Sequence, residues 1–216
     1  MAEENLKDRL RLVARRVRGL ASRLSTARLA RNRAALVAFR KLHVGCGPIH
    51  VDGFLNVDAQ ALRSVDFVCK LEELDRWYPA GNAELIYACH VLEHYATDEV
   101  PPLLAVFHRL LAPGGELRLS VPDLDRIVRI YTKNREHFQT PGNSPWVGLI
   151  YGGQLDRWDF HRTGFNFCWM KYLLERAGFR EIAEYPHEPH FLGIKDGSLA
   201  QEPFGEFLSL NVRAVK

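Results

Sequence analysis

The fold is decided by residues 41–58, which have the sequence KLHVGCGPIHVDGFLNVD. Residues 41–44 alternate between polar and apolar side chains and end at Gly45-Cys46-Gly47. This pattern predicts a buried strand that is followed by a tight turn. Glycines in such a turn leave backbone amides open to a ligand and tolerate positive φ. The same spacing also occurs where a turn merely ends a strand, so both interpretations stay open at this point.

Asp58 strengthens the interpretation of the turn as a cofactor loop. It ends a second predicted strand, residues 54–57, and a carboxylate there can accept hydrogen bonds from both hydroxyls of a ribose. Asp58 follows Gly47 so closely that the helix between the two strands must be very short. Position 50 is His50, whereas the dinucleotide fingerprint Gly-x-Gly-x-x-Gly needs glycine there. The sequence therefore argues against NAD and FAD.

Strands and helices alternate through the rest of the domain. Further strands are predicted at 65–69, 84–89, 116–121 and 211–215, helices at 97–111, 124–131 and 171–178, and the start of a hairpin at 179–185. This order predicts an α/β fold with a largely parallel, doubly wound sheet. Ligands of such sheets bind beyond the carboxyl ends of the strands, where we expect Gly45, Asp58, Lys70, His90 and Asp123.

The composition is that of a soluble globular protein. The chain has 216 residues, of which 47% are hydrophobic and 25% charged, enough to bury a core. No run of about 18 apolar residues occurs, and charged residues stand where a secretory signal would be apolar, so we expect a cytoplasmic location. The four cysteines form no Cys-x-x-Cys pair and no zinc-like cluster with histidine. We therefore expect reduced thiols and no metal.

Charge divides the chain into a basic arm, residues 1–40, and an acidic domain, residues 41–216. Residues 1–41 hold 12 Lys and Arg against 3 Asp and Glu, whereas the remainder holds 17 against 23. A basic amphipathic helix is predicted in the arm, because six apolar residues share one helical face: Leu6, Leu10, Val13, Val17, Leu20 and Leu24. Residues 6–24 could lie on an anionic membrane, form a coiled coil, pack on the domain or contact nucleic acid.

Several segments of the domain together resemble a bacterial family of class I S-adenosylmethionine (SAM) dependent methyltransferases, a type often found in glycan and cell-envelope pathways. The segments are LHVGCG, FLNVD, AELIYACHVLEH, LLAPGGELRLSVPDL, YGGQ with a following FHRTGF, LLERAGF and SLNVRAVK. The resemblance covers about residues 41–216. It implies a Rossmann-like, doubly wound, mostly parallel seven-stranded sheet with an antiparallel edge strand formed within residues 179–215. It also implies SAM as the cofactor.

The resemblance carries a set of cofactor-binding residues with it. The glycine turn would pass the methionine part of SAM, Asp58 would hold the ribose, and the segment after the third strand would flank the adenine. The full predicted set is Gly45, Cys46, Gly47, Asp58, Lys70, Leu71 and His90. Lys70 departs from the acidic residue that related enzymes often carry for the adenine amino group. Backbone groups or Glu72 would then bind the adenine.

Methyl transfer requires that acceptor, methyl and sulfur be aligned, and an alcohol acceptor also needs a base. We expect that base among His161, Asp123 and His94. His161 is the first choice because it lies in the loop region before the last helix, although it could instead order that loop. His94 could shape the cofactor pocket, and Asp123 could cap the helix at 124–131.

The segment 146–169 is unusually aromatic for a connecting region. Such rings suit a sugar or another ring-shaped acceptor, or they form a small core under a lid. The residues concerned are Trp146, Trp158, Phe160, Phe165, Phe167 and Trp169.

The function that the sequence favours is O-methylation of a saccharide or another small molecule, with a place in polysaccharide biosynthesis. A nucleic-acid methyltransferase is one alternative because of the basic arm, and a non-catalytic SAM-fold binding module is another because of Lys70. The fourth strand runs into Cys89-His90-Val91-Leu92 and lacks the Asn/Asp-Pro-Pro-aromatic motif of base N-methylation, which counts against nucleic acid as a partner. The oligomeric state is not indicated by any motif.

Overall fold

One mixed sheet runs through the part of the chain that the structure, a computed structural model, describes: residues 20, 22–138, 145–187, 193–201 and 205–216. Its strands are β1 (Lys41–Val44), β2 (Leu55–Asp58), β3 (Phe67–Val68), β4 (Ala83–Cys89), β5 (Leu111–Pro122), β6 (Arg180–Glu184) and β7 (Ser209–Val215). They stand in the order β3-β2-β1-β4-β5-β7-β6. The first five strands in this order, β3, β2, β1, β4 and β5, are parallel to one another, whereas β7 runs antiparallel to both β5 and β6.

Helices lie between most of the strands, as a doubly wound sheet requires. They are α1 (22–31), α2 (Arg33–Val37), α3 (Val100–Leu110), α4 (Leu124–Lys133), α5 (Arg135–Phe138), α6 (Pro145–Tyr151) and α7 (Phe167–Arg176). Three short 3-10 helices cover Leu71–Arg76, Leu92–His94 and Gly197–Leu199. The predicted fold class is thus confirmed.

The antiparallel part of the sheet comes from the region that the sequence indicated. Strand β7 pairs along the whole of the second half of β5, from Glu116↔Val215 to Pro122↔Ser209, and β6 then forms the edge beside it. The antiparallel strand is therefore second from the edge. Strands β1 and β2 are buried almost throughout, which is the burial expected of parallel strands covered on both faces.

The helix expected between β1 and β2 is absent, and this is a correction to the sequence analysis. Residues 48–54 form turns, and their backbone polar groups are hydrogen-bonded in part by the buried side chain of Asn56 instead of by a helix. Its Oδ1 accepts from the Val51 amide at 2.9 Å, and its Nδ2 donates to the carbonyls of Val51 and Phe54. Nδ2 also donates to Asp66 Oδ2 at 2.9 Å. One amide side chain thus holds the loop.

The described end of the basic arm packs on the domain. Leu36 is buried in the main core, and the Thr26 hydroxyl accepts a hydrogen bond from the Val68 amide at 2.7 Å, which covers part of edge strand β3. Leu20 and Leu24 of the predicted apolar stripe are exposed, and the other four stripe residues lie outside the described residues. Within the described part, no helix is long and apolar enough to cross a membrane.

Candidate active site

The glycine turn after β1 adopts the conformation that the sequence predicted. Gly45 and Gly47 have φ of +63° and +51°, in the left-handed region that favours glycine. A Cβ at Gly45 would collide with the side chain of Val91, whereas a Cβ at Gly47 would meet no atom within 4 Å. The turn is therefore packed on one side and open at Gly47, where a ligand can approach the backbone.

Asp58 is joined directly to this turn. Its Oδ2 accepts a hydrogen bond from the Gly47 amide at 2.9 Å, and its Oδ1 accepts from the Gln60 amide at 2.8 Å. The Ser64 hydroxyl donates to the Gly47 carbonyl from the other side. A carboxylate offers about four lone-pair positions, so Asp58 can still accept two hydroxyl protons. The geometry is suited to a vicinal diol such as that of ribose.

The segment after β3 is built around Glu72. Lys70 Nζ lies 3.9 Å from Glu72 Oε1, and the Tyr95 hydroxyl donates to Glu72 Oε2 at 3.3 Å. The Leu71 side chain is buried in the core, so only its backbone groups can contact a ligand. Lys70 is drawn towards Glu72, which leaves backbone groups, Glu72 and Tyr95 as the polar groups at this position.

His90, directly after β4, is held in a strained conformation. Its φ of +54° is uncommon for a residue other than glycine. Its amide donates to the Ser120 carbonyl at 2.8 Å, and its Nε2 lies 2.9 Å from the Ser209 hydroxyl. Its Nδ1 lies 3.2 Å from Glu93 Oε1, an ion pair. The ring is therefore fixed to the end of the sheet between β4, β5 and β7.

The segment 160–164 brings His161 to the 3-10 helix that holds Glu93 and His94. The Arg162 amide donates to the Glu93 carbonyl at 2.6 Å, and the Thr163 amide donates to the same carbonyl at 3.2 Å. His94 Nδ1 lies 3.1 Å from the Phe160 carbonyl. As a result the His94 and His161 ring centroids are 5.2 Å apart with the rings at 69°. Two of the three predicted catalytic residues thus lie together.

The pKa values of Glu93, His90 and His161 are shifted in different directions. Burial raises the pKa of Glu93, but His90 and His94 outweigh burial, so the carboxyl has a pKa below its ordinary value. Burial lowers the pKa of His90, and the hydrogen bond and charge of Glu93 more than offset it, so this pKa is raised. Burial lowers the pKa of His161. The lowered pKa favours the neutral form of His161, which can accept a proton.

The Asp123 side chain is engaged at the start of α4. It caps α4, where its Oδ1 accepts from the amides of Asp125 at 3.1 Å and Arg126 at 3.4 Å. Its Oδ2 accepts from Arg126 Nε at 2.6 Å. The capping role, which the sequence analysis held as the alternative, is the one that these contacts show.

A cavity of about 270 Å³ lies beside His161, between the ends of β4 and β5 and the helices α4 and α6. Its wall is apolar apart from a few groups, which is the character of a small-molecule site. Its lining includes Glu93, Leu124, Ile127, Leu149, Tyr151 and His161.

The aromatic residues of 146–169 do not all fit one of the two predicted roles, which were contact with an acceptor and formation of a small core. Phe165 is buried and Phe167 packs against the core, whereas Trp158, Phe160 and Trp169 are exposed. The side chain of Trp146 lies outside the described residues. The loop before His161 folds tightly at Gly152, where a Cβ would overlap the Asp159 carbonyl.

The burial of Glu93 is the feature of this site that sequence reasoning missed. Glu93 follows β4 in the segment ACHVLEH, and its position beside His94 was visible, but nothing in that segment indicates that the carboxyl is 1% exposed. Its burial arises because residues 160–164 pack across it. The only sequence signal was a carboxylate so close to the end of a buried strand.

No protein-family model and no curated sequence matches the chain. Among solved structures, it is similar to the 1,6-didemethyltoxoflavin N1-methyltransferase of Burkholderia thailandensis, bound to 1,6-didemethyltoxoflavin and S-adenosylhomocysteine. The TM-score is 0.52 at 19% identity, over 100% of this chain and 89% of that one. A SAM-dependent methyltransferase of Archaeoglobus fulgidus aligns with a TM-score of 0.50 at 16% identity, over 90% of this chain and 94% of that one. The chain therefore has the fold of SAM-dependent methyltransferases.

Proposed function

We propose that the chain is a SAM-dependent methyltransferase that methylates a hydroxyl of a saccharide or another small molecule. The observation that carries the proposal is the hydrogen bond between the Gly47 amide and Asp58 Oδ2 at 2.9 Å. It joins an open glycine turn to a carboxylate at the carboxyl ends of two adjacent parallel strands, the position where α/β sheets bind nucleotide-like ligands.

The proposed cofactor position follows the sheet order β3-β2-β1-β4. The methionine part of SAM would lie over Gly45, Cys46 and Gly47, and the ribose hydroxyls would donate to Asp58. The adenine would lie by the backbone of Lys70 and Leu71, near Glu72. His90, fixed at the end of β4, would bound the sulfonium side.

The acceptor would occupy the cavity beside His161. The cavity is large enough for a ring, and its apolar wall and buried polar groups suit a molecule with an apolar face and a hydroxyl. The acceptor oxygen attacks the methyl carbon, the carbon–sulfur bond breaks with its electron pair moving to sulfur, and S-adenosylhomocysteine results. His161, neutral because burial lowers its pKa, would accept the hydroxyl proton, with His94 beside it. Asp123 would act by holding α4.

The basic arm is consistent with a reaction that takes place at an anionic membrane surface. An amphipathic helix over residues 6–24 with a basic polar face would bind an anionic membrane surface. A saccharide attached to a lipid would be presented there. Binding of the full chain to anionic vesicles, compared with a chain lacking residues 1–19, measures this contribution separately from catalysis.

The experiment that tests the function is a methyl-transfer assay that follows S-adenosylhomocysteine release. Three acceptor classes are offered in parallel: a panel of mono- and oligosaccharides with free hydroxyls, single-stranded and duplex oligonucleotides, and small aromatic amines. We expect turnover with the hydroxyl panel alone. Turnover with oligonucleotides would replace the acceptor assignment by the nucleic-acid alternative, and absence of SAM binding would leave a non-catalytic module.

A further inference from the structure

Glu93, His94 and His161 form a compact set of metal-ligand side chains. One ligand atom of each lies within 4.8 Å of the ligand atoms of the other two. Glu93 and His94 come from the 3-10 helix after β4, and His161 comes from a segment far along the chain. Two imidazoles and one carboxylate are the ligand set of several catalytic zinc sites and of the 2-His-1-carboxylate iron sites.

The Glu93 carboxylate provides a second, independent observation. It is 1% exposed and lines the cavity; its Oε1 is paired with His90 Nδ1, whereas its Oε2 has no hydrogen-bond partner among the described residues. His90 Nδ1 lies 3.2 Å from Oε1. A buried carboxylate oxygen without a hydrogen bond costs free energy, and buried charges are ordinarily paired or bound to metals. Oε2 is therefore available to a cation on the cavity side.

The surroundings of both histidines are those of metal ligands. A ligating histidine characteristically donates its other ring N–H to a backbone carbonyl or a carboxylate. His94 Nδ1 lies 3.1 Å from the Phe160 carbonyl, and the His161 ring interacts with the Leu149 backbone. Because a carbonyl only accepts, Nδ1 is the nitrogen of His94 that donates at this contact, which leaves Nε2 as the atom that would bind an ion.

We propose that Glu93, His94 and His161 bind one divalent transition-metal ion of the zinc class, with open coordination positions facing the cavity. Imidazole ligands favour such ions over Mg²⁺ and Ca²⁺, which prefer oxygen. Metal–ligand bonds of about 2.0–2.2 Å place neighbouring ligands roughly 3–3.5 Å apart, so small side-chain rotations complete the site. The expectation of no metal rested on spacing within short segments, whereas these ligands come from two distant ones.

The ion would change how the acceptor hydroxyl is activated, a consequence that rests on the proposed function. A bound divalent ion lowers the pKa of an oxygen that it holds. An imidazole that binds the ion cannot accept a proton, so the base role of His161 belongs to the metal-free protein. Binding of the ion itself requires neither SAM nor an acceptor.

The test uses the full-length protein, stripped with chelator and then equilibrated with Zn²⁺ or Co²⁺ without SAM. We expect one ion per chain by elemental analysis, and Co²⁺ should produce visible absorption bands of a low-symmetry, nitrogen-bound site. His94→Gln and His161→Gln should each weaken binding by at least about 100-fold. His108→Gln, which removes an imidazole packed on Phe179 outside the cluster, should bind as the unmodified protein does.

Glu93→Gln keeps the shape of the side chain, but it also removes the ion pair with His90, so its thermal unfolding is measured in parallel. A folded Glu93→Gln protein that binds Co²⁺ weakly supports the site. Unchanged stoichiometry in both histidine variants, or no Co²⁺ bands in the unmodified protein, overturns it. Metal binding without SAM binding would retain this site and reject the proposed function, and the reverse result would do the opposite.

Discussion

The proposed cofactor side and the proposed acceptor side of the site are built in different ways. On the cofactor side, the glycine turn, Asp58 and Ser64 lie within a short stretch of chain and are joined by hydrogen bonds across adjacent strands. On the acceptor side, Glu93 and His161 come from separate segments joined by backbone hydrogen bonds from residues 162 and 163. The cofactor side therefore depends on local turns, and the acceptor side depends on how a long connection folds back.

The largest expected effect separates the two sides by function. His161→Ala removes the group that we propose activates the acceptor hydroxyl, either as a base or as a metal ligand. We expect kcat to fall by roughly 10²- to 10⁴-fold, the usual contribution of general acid–base catalysis, with the Kd for SAM unchanged. Steady-state kinetics and calorimetry measure the two quantities. His108→Ala is the matched control and should alter neither, and an equal loss of SAM affinity in His161→Ala would mean that the two sides are not separate.

The next effect concerns the stability of the cofactor side. Asn56→Ala deprives the Val51 amide and carbonyl, the Phe54 carbonyl and Asp66 of a partner. We expect the free energy of unfolding to fall by about 2–4 kcal/mol, because buried groups without partners each cost about 1–3 kcal/mol. Urea denaturation measures the change. Asn134→Ala, at the end of α4, serves as the control, and an equal loss there would show that the loop is not held by Asn56 in particular.

A smaller effect distinguishes the two glycines of the turn. Gly47→Ala introduces a Cβ at positive φ into open space, which should cost about 1–2 kcal/mol. Gly45→Ala carries the same strain and also forces Val91 to move, so its unfolding free energy should fall by about 1–3 kcal/mol more. Thermal unfolding of the two variants side by side measures the difference. Equal losses would show that Gly45 is not packed against Val91.

The smallest effect is chemical and tests burial. Burial raises the pKa of Cys69 to about 12, and it raises the pKa values of Cys46 and Cys89 further. Because the thiolate is the reactive form, these three should stay unmodified by a disulfide reagent at pH 8. Cys168 on α7 is exposed and should react within minutes. Mass spectrometry of the native protein counts the modified thiols, and fast labelling of Cys46 would contradict the closed packing of the turn.

The sequence predicts the features that depend on local turns better than those that depend on long-range packing. The strand before Gly45 and the carboxylate at Asp58 were predictable because turn glycines and strand ends are local patterns. The turns at 48–54 were not predictable, because the hydrogen bonds of a single side chain, Asn56, hold the backbone there in place of a helix. The burial of Glu93 was hidden for a different reason, since its cover comes from residues far along the chain. Local chemistry was visible in the sequence, and long-range packing was not.

The measurement that tests the account most directly is calorimetric titration of SAM into the unmodified protein, Asp58→Ala and Asp52→Ala. Asp52 is an exposed carboxylate of the same loop region and is the matched control. We expect micromolar binding by the unmodified protein and by Asp52→Ala. Loss of hydrogen bonds to a charged acceptor, at about 1.5–3 kcal/mol each, should weaken binding by Asp58→Ala at least tenfold while the protein stays folded. Absence of binding by the unmodified protein, or equal affinity in a folded Asp58→Ala, would contradict the account.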